Sequence, residues 1–206
     1  MIAAGALSSG AALLLAIGLR LPLGTLLASL GLVTAGAVVW QWHRTPSAVR
    51  PVIRRRASVG VWAGLLGTLA YDGSRILLVR LADLPYRPFE ALPLFGRLLA
   101  GASVSDNAAL AVGTLYHYLN GVSFAVAYTF IFAGRRWIFG LLWALGLEVL
   151  MLAVYPTWLD LRAVRSEFTV VSSIGHLAYG AVIGIFAQRY LSPQRLTSPF
   201  RSTLPK

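Results

Sequence analysis

The run NAALAVGTLYHYLNGVSFAVAYTFIFA, residues 107–133, decides the fold class. From end to end it carries no Asp, Glu, Lys or Arg. As a helix rising ~1.5 Å per residue it would reach ~40 Å, more than the ~30 Å of hydrocarbon in a bilayer. It is not free of polarity, because His117 and Asn120 sit near its middle. An apolar run of spanning length with a histidine buried in it defines both what this chain is and where its chemistry would lie.

Similar runs flank it on both sides. The spacing predicts six spans, over residues 2–19, 21–42, 57–79, 107–133, 136–155 and 168–190, with Pro156 ending the fifth. A tight turn at Arg20, Leu21 and Pro22 joins the first two. Of the 206 residues, 57% are apolar and only 12% charged. Mean hydropathy is +0.71. A soluble domain carries roughly a quarter charged residues, so a water-soluble globule and a disordered chain are both excluded. The expected fold is all-α, a polytopic transmembrane helix bundle of about six spans.

The organisation along the chain follows from the spans and what lies between them. Residues 1–42 form an N-terminal hairpin. Residues 43–56, HRTPSAVRPVIRRR, read as a basic cytoplasmic loop. Residues 57–190 form a four-span core. Within it, residues 81–106 do not span, and their centre (88–101) combines Glu90, Arg97 and Pro93 with apolar residues, which suits an interfacial or re-entrant segment and a lid over a site. The tail 191–206 is polar and proline-rich and reads as disordered.

Orientation follows from the arginines. With the Arg54–Arg56 cluster placed inside, the inner side holds Arg44, Arg50, Arg54, Arg55, Arg56, Arg135, Arg136, Arg189, Arg195, Arg201 and Lys206 with no acid. The outer side holds Arg20, Arg80, Arg87, Arg97, Arg162 and Arg165 against Asp83, Glu90, Asp106, Asp160 and Glu167. Such asymmetry predicts both termini in the cytoplasm. It also explains the formal charge of +11 without nucleic acid, since no soluble domain would present a basic groove. Lys206 is the only lysine, and an Arg bias of this kind points to a GC-rich prokaryotic genome and hence to a prokaryotic plasma membrane. No cysteine is present, so disulfides and thiolate chemistry are excluded.

Small residues at helical spacing supply close-packing surfaces: Gly60 and Gly64 in span three, and Ser173, Gly175, Gly180 and Gly184 in span six. The stretches AYDGSRILLVRL, YHYLNGVSFAVAYTFIF and GHLAYGAVIGIF resemble those of small prokaryotic membrane proteins, a resemblance that implies no activity.

Ionisable residues inside spans are costly, ~2.5–3.5 kcal/mol for a charge on an insertion scale, and turn toward the bundle interior. Here they are Asp72, Arg75, His117, Glu148 and His176. Counted from the outer end of each span at ~1.5 Å per residue, Asp72 and Glu148 lie ~10 Å deep, His176 ~12 Å and His117 ~15 Å. Four helices thus place an ionisable group in one layer. Thr68, Thr114, Asn120, Tyr128, Ser172, Ser173 and Tyr179 extend it along the same helix faces.

Four readings fit that layer. In the first it is structural: Asp72 pairs with Arg75, Arg75 reaches Glu148, and the histidines bond Asn120, Tyr179 or serines, fixing helix register in an assembly role. In the second, His117, His176 and one of Asp72 or Glu148 hold a divalent Zn, Fe or Mn ion. The other acid then acts as the catalytic base, and Arg75, Asn120 and Tyr179 form a supporting shell for a lipid-soluble or periplasmic small molecule. The third is a small proton-coupled transporter or facilitator. The fourth is haem b ligated by His117 and His176, or a quinone. The spacing does not choose between them, since no HExxH or ExxH pair occurs on one helix.

Overall fold

A computed structural model describes residues 2–158 and 164–192. Those residues form eight helices and no strand: α1 (Ile2–Ala6), α2 (Ser8–Leu19), α3 (Leu23–Arg44), α4 (Arg50–Leu81), α5 (Ala91–Ala100), α6 (Asp106–Ile131), α7 (Ile138–Trp158) and α8 (Arg165–Leu191). Three of them are long and apolar enough to cross a membrane: α3, α7 over Ile138–Tyr155, and α8. Length and composition therefore identify a membrane-type, all-helical chain. The two helices of spanning length that fall short on hydropathy, α4 and α6, are those carrying Asp72 and Arg75, or His117 and Asn120. Polar residues dilute the apolar signal.

The element boundaries differ from the sequence expectation in several places. The first span is interrupted at Leu7, whose N–H bonds Ala4 O instead of continuing the α pattern. The stretch 43–56 is a loop only in part. α4 begins at Arg50 with Pro51 in its first turn, where a missing N–H leaves no bond unmade. Arg50, Arg54, Arg55 and Arg56 consequently ride on the first turns of the longest helix. Arg50 and Arg54 stack on Trp42, and Arg44 stacks on Trp40. α7 runs through Pro156 to Trp158, because proline forfeits a single backbone bond and an intramembrane helix tolerates that. The tail 193–206 lies outside the described residues, as do Asp160 and Arg162.

α4 is the centre of the molecule. It packs antiparallel against α6 on one side and α8 on the other, and α7 lies against α8. Glycine permits the approach. A Cβ on Gly60 would lie 2.7 Å from Val126 Cα, and one on Gly64 2.5 Å from Val122 Cα. Gly140 and Gly180 face each other across α7 and α8, with Gly184 on the Trp137 carbonyl. These seams are backbone-to-backbone contacts, the form of packing available where lipid removes the hydrophobic drive between helices.

The segment between α4 and α6 doubles back. The chain leaves α4 at Leu81 and descends until the Pro88 carbonyl reaches Arg75. α5 then rises antiparallel to the first turns of α6, with Leu92 against Gly113 and Gly96 against Ala109. Gly101, at φ 102°, ends α5, and the Ser105 hydroxyl accepts from Ala108 N–H to start α6. α1, α2 and α3 form a hairpin set against α6 and α5. Leu13, Leu23, Leu92, Phe95 and Tyr116 close that junction as a buried apolar cluster.

Candidate functional site

The helices bring the expected ionisable residues together as two carboxylate–imidazole pairs. In the first, His117 Nε2 on α6 lies 3.1 Å from Asp72 Oδ1 and 3.3 Å from Oδ2 on α4. In the second, His176 Nδ1 on α8 lies 2.6 Å from Glu148 Oε2 on α7. Glu148 is 2% exposed, so its charge needs partners. Ser172 donates to Oε2 at 2.8 Å and Ser173 to Oε1 at 3.0 Å, and the His176 imidazole stands beside Oε2 as an ion-pair contact. Serines at 172 and 173 and a histidine at 176 lie on adjacent turns of one helix, so a single carboxylate can gather all three.

A backbone carbonyl only accepts, so the hydrogen bond at 3.1 Å between His176 Nδ1 and Ser172 O puts the ring proton on Nδ1. Nε2 is then the working atom of the ring, a base when neutral and an acid when charged. His117 is oriented the other way, with Nε2 on its carboxylate and Nδ1 left over.

Arg75 departs from the pairing expected of it. Among the described residues it makes no ion pair with Glu148, and its contact with Asp72 stretches to 4.0 Å. The guanidinium instead donates from Nη2 to Tyr86 Oη at 2.9 Å and to Pro88 O at 2.8 Å. It is caged by Tyr71, Tyr86 and Phe89 at 4.7, 6.0 and 5.9 Å from their ring centres. The loop that doubles back after α4 delivers both of these oxygens to one nitrogen, Nη2. Burial pushes the Tyr86 phenol above its ordinary range, so it remains a neutral partner for the cation. Arg75 Nε is buried and has no hydrogen-bond partner among the described residues.

The expected four-ligand metal set divides into these two pairs. Among the described residues no three His, Asp or Glu side chains come together in a group able to hold a metal ion. Each carboxylate has taken the nearest imidazole, and the Tyr71 ring stands against both histidines, 5.8 Å from His117 and 5.0 Å from His176. The bis-histidine arrangement for haem meets the same ring, and His117 Nε2 is engaged by Asp72.

Of the supporting residues, Asn120 keeps a buried Oδ1 without a partner among the described residues, and Tyr179 donates to Gly121 O at 2.6 Å. Thr68 donates to Gly64 O on its own helix, and Thr114 does the same to Leu110 O. Tyr128 lies elsewhere, against Phe132 and Trp143. Tyr71 and Tyr86 belong to the site although the sequence reading passes over both. Tyr71 carries a usable signal, standing four residues before Arg75 on the same helix face. Tyr86 carries none, because only the doubling-back of its loop puts it there.

These groups open on an interior cavity of about 440 Å³. Arg75, Tyr86, His117 and His176 line its polar upper part, while Leu7, Gly10, Phe124 and Leu147 line an apolar remainder. Asn120 and Tyr179 also face it. No family model, curated protein or solved structure matches the chain, so the site stands on its own geometry.

Proposed function

We propose that this chain is a multi-pass integral membrane protein of a prokaryotic plasma membrane that binds a lipid-soluble small molecule inside its bundle and exchanges a proton with it at His176. The topology that goes with this reading has six spans, both termini in the cytoplasm, and the polar layer in the outer half. The observation that carries it is the conjunction of a sizeable, mostly apolar cavity with an imidazole that stands beside a buried carboxylate and has its Nδ1 on the Ser172 carbonyl, leaving Nε2 as the working nitrogen. A carboxylate-oriented histidine is the ordinary arrangement of a general acid–base. Cavities of a few hundred Å³ lined by apolar groups with a few convergent polar ones are the ordinary form of a small-molecule site.

The test is whether the cavity is occupied and whether occupancy depends on its shape. Protein purified in mild detergent is extracted and the small molecules analysed by mass spectrometry, alongside a Leu147→Trp variant whose larger ring fills the space. A species enriched in the parent and depleted in the variant is expected. Equal profiles, together with no change in thermal stability between the two, would remove the binding reading. What would remain is a packing role, favoured by the full complement of donors around Glu148.

Topology is tested separately. The cysteine-free sequence gives single-cysteine labelling no background. Cysteines placed at Ser47 and Ser103 should be reached by a membrane-impermeant maleimide from opposite sides of the membrane. Labelling of both from one side would overturn the six-span arrangement.

A further inference from the structure

We infer that the molecule held in the cavity is a lipid-soluble acid, an acyl chain with a carboxyl head, seated with its head on Arg75 and admitted sideways from the bilayer between α2, α5 and α7. This rests on the reading of the cavity as a small-molecule site and adds the chemistry of the ligand and its route.

The head group follows from what Arg75 lacks. Its side chain is only 7% exposed, and its donor bonds to Tyr86 and Pro88 both leave from Nη2. Nε–H has no partner among the described residues, and Asp72 at 4.0 Å from Nη1 is too far to hydrogen-bond. A buried guanidinium with its Nε edge unmatched is incomplete, and a carboxylate is the shape that completes it through paired N–H donors. Neither Asp72 nor Glu148 fills that place, since each is held by a histidine.

Charge balance decides that the acid arrives with its proton. Arg75 shares this layer with Tyr71 and Asp72 from α4, Tyr86, Arg87 and Glu90 from the loop, and Tyr155 and His176 from α7 and α8, with Glu148 beside His176 and His117 beside Asp72. Between the helices Arg75 already shares the layer with two carboxylates, Asp72 and Glu148. A further bare anion would be opposed at low dielectric. A neutral acid avoids this: its O–H bond breaks, an N–H bond forms at His176 Nε2, and the layer keeps its net charge. The new imidazolium is held by Glu148, and the new carboxylate by Arg75. Tyr71 touches both Arg75 and His176, so the two ends of the transfer share one wall.

The tail and the route follow from the lining. Below Arg75 the polar side chains His117, His176, Asn120 and Tyr179 continue along about 10 Å of the α4 axis to Thr68, and the lining also includes the apolar Leu7, Gly10, Phe124 and Leu147. Three lining leucines are among the more exposed side chains: Leu14 on α2, Leu94 on α5 and Leu150 on α7, at 37%, 43% and 52%. α2 and α7 touch only slightly. In a bilayer that gap faces acyl chains, not water.

The test measures binding of tritiated palmitic acid and tritiated hexadecanol to the full chain in phosphatidylcholine nanodiscs, against empty discs. The two probes share a tail and differ in the head. The acid should bind at least about tenfold more tightly than the alcohol. Arg75→Gln should bring the acid down to the level of the alcohol, and Leu14→Trp should weaken both. Histidine-labelled protein gives a readout independent of any variant: palmitic acid should shift the nitrogen-15 signal of one imidazole Nε2 to the protonated position. Equal binding of acid and alcohol would overturn the proposal and leave the cavity reading standing. Absence of binding by either probe would overturn it too, and the extraction experiment above then decides the cavity reading by itself.

Discussion

The hairpin helix α3 and the core helix α8 are both apolar and of spanning length, yet they are packed very differently. Of the most apolar window of α3, 6% is buried inside the protein, against 44% for α8. The helices at the very centre, α4 and α6, are the less apolar ones. In water the order would be reversed, with the greasiest helix innermost. Here hydropathy measures contact with lipid, and glycine and polar groups measure contact with protein. Side chains such as Leu32 and Val33 on α3 stand more than two-thirds exposed, while Gly60, Gly64 and Gly67 on α4 lie against neighbouring helices.

The sharpest way to break that comparison is to place the same bulky residue in both regions. At Gly113 an added Cβ would overlap the Leu92 carbonyl, and a backbone carbonyl cannot move aside without displacing α5. At Gly31 on α3 nothing lies within 4 Å. Gly113→Leu should therefore cost more than ~3 kcal/mol or prevent folding, and Gly31→Leu should stay within ~0.5 kcal/mol. Unfolding midpoints in mixed micelles check both. Similar losses at the two positions would mean that α3 is as tightly packed as the core.

A smaller effect separates the two carboxylates. Glu148 is enclosed, accepts from Ser172 and Ser173 and has His176 Nδ1 beside it, whereas the Asp72 side chain retains 13% exposure and pairs with His117 and the Tyr118 hydroxyl. Glu148→Ala strands Ser172, Ser173 and His176 and should cost ~2–4 kcal/mol. Asp72→Ala strands His117 and the Tyr118 hydroxyl, both only part-buried, and should cost less. Glu148→Gln, which keeps the shape and one acceptor, should recover part of the loss. If Asp72→Ala proves the costlier change, the polar layer is organised around α4 and not around α7 and α8.

Smaller again is Tyr86→Phe. It removes one oxygen from Arg75 and leaves the Pro88 carbonyl. A bond to a charged donor contributes ~1.5–3 kcal/mol when its loss goes uncompensated. The retained carbonyl and ring cage should hold the cost near ~1 kcal/mol, read from the same midpoints. A loss of several kcal/mol would show that the loop, and not the helices, positions Arg75.

Much of this is legible in the sequence because it is periodic. Runs of apolar residues mark the helices, and residue counts to the span ends put Asp72, His117, Glu148 and His176 in one layer, since the rise per residue of a helix is fixed. What is not legible depends on tertiary approach. The choice of Tyr86 and Pro88 over Glu148 as partners of Arg75 needs the loop to fold back, and nothing local at residues 82–90 announces that. The division of four groups into two pairs depends on which helix stands next to which, and on Tyr71 standing against both imidazoles. Pro156 misleads through a rule drawn from aqueous helices, where losing a backbone bond matters more.

The smallest effect is the most diagnostic of how polarity is distributed. Tyr128 is fully buried beside Ala125 and the rings of Phe132 and Trp143, and its hydroxyl has no partner among the described residues. The polar stripe of α6 sets it in line with His117 and Asn120, but those two face the cavity and Tyr128 does not. A hydroxyl that is desolvated without a hydrogen bond contributes nothing to hold the fold together and costs free energy to bury. Tyr128→Phe keeps the ring packing and removes the unmatched group. It should leave stability unchanged or raise it by up to ~1 kcal/mol. The same change at Tyr179, whose hydroxyl donates to Gly121 O across the α6–α8 approach, should lower it. A loss at Tyr128 equal to that at Tyr179 would reveal a hidden partner for its hydroxyl, and the polar stripe of α6 would extend further along the helix than the cavity does.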